Sequence, residues 1–221
     1  MRPFCEVCCP SLDAVAKAIS AGANRIELCE RLEVGGVTPS EQLIKDALAT
    51  AGQVPVNVLI RPREGNFVYD EDESEQMLES IALCKELKVN GVVIGALCSD
   101  GSVDMELMWR LVDAARPMGI TFHRAFDECS DIFAALEEII SLGIDRLLTS
   151  GHRATAWEGR FVLKELVERA ASKTSPVSSL KPGQQTPRII IMPGCGINPA
   201  NLAEIAAVTG ATEFHGSKIL G

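Results

Sequence analysis

The chain has 221 residues, 47% of them hydrophobic and 23% charged, the balance of one soluble globular domain with an aliphatic core. Its formal net charge of −9 argues against a nucleic-acid footprint or binding to an anionic membrane surface, both of which want clustered Lys and Arg. No apolar run approaches the roughly 18 residues of a membrane span, and Met1 to Cys5 enter a strand-like segment without a signal core, so a cytoplasmic location is expected.

Short apolar segments alternate with amphipathic ones along almost the whole chain. Strands are predicted over 3–9, 24–29, 55–61, 91–96, 119–124, 144–149, 187–192 and 212–216. Helices are predicted over 10–21, 39–51, 71–88, 103–116, 130–141, 156–172 and 198–208. Thr38-Pro39-Ser40-Glu41, Asp70 to Glu73 and Asn198-Pro199 supply cap and first-turn chemistry. Gly22, Gly91, Gly119, Gly143 and Gly210 close helices ahead of the next strand.

A strand followed by a helix, repeated at a spacing of about 25 residues, implies parallel pairing with right-handed crossovers. The expected architecture is an α/β fold, a (β/α)8 TIM-type barrel over residues 1–221 as one domain, with an open doubly wound sheet as its competitor. No eighth helix is expected after the last strand. Residues 172–186, rich in Ser, Pro, Lys and Gln, read as an exposed loop insertion.

Side chains of a barrel strand alternate between the helical layer and the interior. Placing the apolar set outward leaves Glu6 and Cys8 of strand one inside, with Arg25, Glu27 and Cys29 of strand two. Asn57, Leu59 and Arg61 follow from strand three, Thr121 and His123 from strand five, and Glu213 and His215 from strand eight. Barrel interiors are ordinarily filled with branched aliphatics, so this charge must be paired internally or by a ligand. Cys8, Cys29, Arg61, Arg63, His123, Arg124 and His215 come nearest the C-terminal strand ends, where barrel sites are built.

Two chemistries compete for that mouth. Cys8 and Cys29 fall near the ends of adjacent strands, where two thiolates suit a soft ion such as Cu(I); small buried hydrophobes are the plainer reading of both. The Cys5–Cys8 spacing is no metal motif, because an extended strand sends those sulfurs to opposite faces. Eight scattered cysteines without a secretory signal point to free thiols in a reducing compartment. Arg61 and Arg63 instead offer forks for a carboxylate or phosphate, and the loop carrying Gly194 and Gly196 resembles a barrel phosphate cradle. On that alternative His123, with Glu27, does acid–base work on a small phosphorylated or carboxylated metabolite, while Glu6, Arg25, Glu213 and His215 support the pocket. His152, after strand six, is expected at the rim.

The runs EVC at 6–8, GANRIELCERLEVGGVTPS at 22–40, IRPR at 60–63, GALCSDGSVD at 95–104, TFHRAFD at 121–127, LLTSGH at 147–152, MPGCGI at 192–197 and ATEFHGS at 211–217 resemble the CutC copper-homeostasis family. The resemblance covers nearly the whole chain. It implies a (β/α)8 barrel, a cytoplasmic homodimer and copper as the partner, bound at the cysteines of the two motifs that hold Cys8 and Cys29. The chain departs from the family pattern at Cys195, where a glycine is usual, and at His152.

Overall fold

The computed structural model describes residues 3–172 and 189–221. Eight strands alternate with seven α-helices: β1 (Phe4–Cys9), α1 (Leu12–Ser20), β2 (Arg25–Leu28), α2 (Glu41–Ala51), β3 (Val56–Leu59), α3 (Glu71–Glu86), β4 (Gly91–Ile94) and α4 (Met105–Ala115) form the first half. The second half is β5 (Gly119–Phe122), α5 (Ile132–Ser141), β6 (Arg146–Thr149), α6 (Arg160–Ala171), β7 (Ile190–Pro193), α7 (Leu202–Thr209) and β8 (Glu213–His215). Short 3-10 turns at Leu32–Val34 and Arg124–Glu128 follow β2 and β5.

All the strand pairs are parallel, and the ladder runs β7-β6-β5-β4-β3-β2-β1-β8. Sequential pairing that returns to β1 through β8 is the barrel and excludes the doubly wound sheet, whose strand order reverses. No backbone ladder joins β7 to β8 among the described residues, so the barrel is nearly closed. Beyond β8 the described chain continues only as a turn, with no eighth helix. Residues 173–186 of the expected loop insertion lie outside the described residues.

The outer shell is aliphatic. Ile26, Leu28, Val56, Val58, Ile60, Ile120, Phe122 and Phe214 point from their strands into one continuous core beneath the helices. Each helix contributes a buried stripe, such as Ile44, Ala47 and Ala51 on α2. Asp70 closes a full capping box with Glu73 at the start of α3, as its sequence predicts.

Two helices begin later than their composition suggests. The segment before α6 is diverted inward, where Ala156 N–H donates to the Cys195 carbonyl, and a Cβ on Gly159 would lie 1.9 Å from the Ser150 oxygen. The loops after β7 and β6 thus hold that stretch until Arg160. Before α7, Asn198 and Asn201 bond to one another across a turn, which delays the helix to Leu202.

Candidate functional site

The interior of the barrel carries charged and polar side chains on two tiers, and strand register explains how. Glu6 stands opposite Arg25 on β2 and His215 on β8, while Cys8 stands opposite Glu27. Parallel neighbours in register present the same face, so these side chains converge.

At the lower level Glu213 accepts from Arg25 Nη2 at 2.7 Å and from Arg146 Nε at 3.0 Å. Arg25 Nε donates to Glu6 Oε2, and the other Glu6 oxygen lies 2.9 Å from His215 Nδ1. Glu6 has no exposed surface and Arg25 is 4% exposed. Burial alone would raise the Glu6 carboxyl, but His215 and Arg25 outweigh it and hold Glu6 well below the usual carboxylate range. The pairing therefore keeps a buried charge that would be very costly alone.

At the upper level Cys8 Sγ lies 3.4 Å from Glu27 Oε1 and 3.6 Å from Cys29 Sγ. His215 Nε2 is 3.9 Å from the same Glu27 oxygen. One ligand atom each from Cys8, Glu27 and His215 falls within 4.8 Å of the others, the geometry a shared metal ion needs. Leu59 and Val93 complete an apolar wall around the two cysteines.

Protons are held tightly in this cluster. The hydrogen bond with Cys29, then burial and the nearby Glu27 charge, push the Cys8 thiol well above its ordinary value. Burial raises Glu27. Burial opposes protonation of His215, yet the Glu27 charge and the bond to Glu6 win and raise it. The second Glu27 oxygen is buried without a hydrogen-bond partner among the described residues. An orphaned buried acceptor costs about 1–3 kcal/mol, so a bound cation or proton there relieves a real penalty.

The cluster forms the floor of a cavity of about 870 Å³ at the C-terminal mouth. Arg61, His123, Arg124, His152, Gly196 and His215 also line it. His123 is 5% exposed, and burial, aided by the Arg61 charge, drives it down to about 3, so it is neutral at physiological pH. Ala125 N–H donates to its Nδ1 at 3.2 Å, which leaves the ring proton on Nε2. His123 is thus a hydrogen-bond donor with no spare lone pair, a poor match for the general-base role that its type suggests.

The two strand-three arginines part company. Arg61 donates to the carbonyls of Val34, Gly36 and Gly65, at 3.2, 3.0 and 2.6 Å, and clamps the loops after β2 and β3. Its fork is spent on backbone, and only Nε is buried without a partner. Arg63 turns from the cavity toward Glu73 and Tyr69 at the start of α3. Arg124 reaches the rim but pairs with Asp127, whose carboxylate also accepts from Thr149, Ser150 and His152. Arg25, Glu6 and Glu213 lie below the cavity in the network just described. Gly194 packs under the wall, where a Cβ would meet Leu148 at 2.5 Å. The sequence paired Cys8 with Cys29 as candidate metal ligands and assigned Glu27 and His215 other roles in the pocket; the structure sets both beside Cys8, as their inward alternation signalled.

Fold and site together define a (β/α)8-barrel protein with a buried thiol–carboxylate–imidazole cluster beneath an open mouth. The CutC family model matches residues 4–220. A Parabacteroides distasonis protein of that family is 48% identical over 98% of this chain and 83% of its own length. A human protein named copper homeostasis protein cutC homolog is 43% identical over 95% of this chain and 71% of its own. The crystal structure of CutC from Streptococcus agalactiae superposes with a TM-score of 0.88 at 33% identity, covering 99% of this chain and all of that one. The chain belongs to the CutC family.

Proposed function

We propose that the chain serves copper homeostasis by binding Cu(I) at the barrel mouth through Cys8 and Cys29. One observation carries the reading: two buried sulfurs lie 3.6 Å apart beside the Glu27 carboxylate and the His215 imidazole. Thiolates are soft ligands that select Cu(I), and an imidazole adds a compatible nitrogen. Each thiol sheds its proton on binding, so uptake releases protons and strengthens as pH rises. All eight cysteines are without disulfides, which supports a reducing, cytoplasmic setting.

Anaerobic Cu(I) titration against a competing chelator tests the proposal, with Zn(II) in parallel. Wild type is expected to take up one Cu(I), with at least tenfold weaker binding in Cys8→Ser/Cys29→Ser. Equal affinity in the two proteins, or tighter retention of Zn(II) than Cu(I), overturns it. The family resemblance also supports a homodimer, which a monomer mass in analytical ultracentrifugation would refute.

A further inference from the structure

A metal ion uses a small fraction of a cavity of about 870 Å³, a volume that falls within the range of organic-ligand pockets. Two residues in its wall that the metal cluster leaves unused, each more than nine-tenths buried, keep a polar atom without a partner among the described residues: His123 Nε2 and Arg61 Nε. Buried polar groups in folded proteins are normally paired, so these two orphans on one cavity wall mark where a polar ligand belongs.

The opposite rim is built from the loops after β7 and β8. The Cys195 carbonyl is tied to Ala156 N–H and the Gly196 carbonyl to Asn201 Nδ2, at 3.0 and 2.9 Å. The amides of Cys195, Gly196, Ile197, Ser217 and Lys218 donate to nothing among the described residues. Lys218 adds a cation with no ion pair among the described residues. Free amides from these two loops, with a nearby positive charge, are donors of the kind that barrels draw from the same loops to hold a phosphoryl group, here without an added helix.

We propose that the mouth cavity binds a small phosphate monoester, distinct from the metal. Its phosphoryl group sits against the amides of Cys195–Ile197 and Ser217–Lys218, and its hydroxylated body reaches the His123 wall. His123, neutral and protonated on Nε2, serves as a donor to a hydroxyl or carbonyl oxygen of that body. The assignment uses neither cysteine and stands whether or not copper binds.

Calorimetric titration of the metal-free full chain in phosphate-free buffer tests this with inorganic phosphate, glycerol 3-phosphate, glycerol and succinate. Saturable binding of glycerol 3-phosphate is expected, at least tenfold tighter than inorganic phosphate, with glycerol inert. Ser217→Glu, which sets a carboxylate among the amides, is expected to weaken it at least tenfold, while Ser217→Ala and the Cu(I) affinity of both variants stay unchanged. His123→Leu is expected to erase the preference over inorganic phosphate, and His123→Gln to retain part of it. No saturable binding of either phosphate up to about 10 mM, roughly tenfold above the ordinary upper limit of metabolite affinity, equal binding by Ser217→Glu, or tighter binding of succinate overturns the assignment.

Discussion

His215 Nδ1 lies 2.9 Å from Glu6 Oε1, and this contact between β8 and β1 joins two tiers of the barrel interior. Below it, Glu6 neutralises Arg25; above it, the other imidazole nitrogen faces Glu27 beside Cys8. A single buried carboxylate thus aims the imidazole at the metal-competent cluster, as carboxylates bonded to the far ring nitrogen do for metal-binding histidines.

Replacing Glu6 with Gln keeps the shape and removes the charge. Arg25 then shares Glu213 with Arg146, and one buried cation is left under-compensated. Breaking a buried pair from one side costs about 3–5 kcal/mol. Urea denaturation of metal-free Glu6→Gln at pH 7 should show a loss of that order; a loss below about 1 kcal/mol would refute the account of the network.

Arg61→Lys tests the loop clamp. A lysine keeps the charge but cannot span the carbonyls of Val34, Gly36 and Gly65 with a planar fork. Charge-assisted hydrogen bonds contribute about 1.5–3 kcal/mol each in net terms. Faster amide exchange at residues 32–36, with strand protection intact, is the expected result; unchanged exchange contradicts it.

Gly36 adopts φ +88°, and a Cβ there would meet Leu59 Cδ2 at 2.8 Å and Cys29 Cβ at 3.3 Å. Gly36→Ala combines left-handed strain with pressure on the wall of the cysteine pair, at a cost of about 1–3 kcal/mol. Thermal denaturation should show the loss, and Cu(I) affinity should fall with it as Cys29 shifts. Wild-type values for both would show that the loop yields freely.

The depressed His123 makes stability depend on pH with a definite sign. Below about 6.5 the unfolded chain binds a proton that the folded imidazole refuses until about 3, so the contribution of His123 to stability is lost as pH falls across that interval. The limiting slope is about 1.4 kcal/mol per pH unit for one proton. Glu6 adds acid sensitivity only below about 4.5, where its unfolded form begins to protonate. The difference between wild type and His123→Gln, measured from pH 6.5 to 5, isolates the histidine; parallel curves would show that it is not the group responsible.

Strand and helix order was legible from periodicity because alternation at two residues and repetition at 3.6 are backbone properties. The inward sets were legible too: Glu6, Arg25, Glu27 and Glu213 face the interior because their neighbours Val7, Ile26, Leu28 and Phe214 must face the helices. Arg63 was not legible, since an arginine beyond a strand end takes its partner from the loop that follows. The path of that loop brings Glu73 of the α3 capping box within 3.2 Å.

The sequence by itself determined the barrel and its polar interior, because burying aliphatics under the helices leaves the charged half of each strand no other side. Tertiary structure alone decided which of those groups meet. Closure through β1 and β8 sets His215 beside Glu6 across 209 residues of chain, and makes Cys8, Glu27 and His215 one cluster. No local pattern encodes that proximity, since it follows from the register of three strands fixed only when the barrel forms.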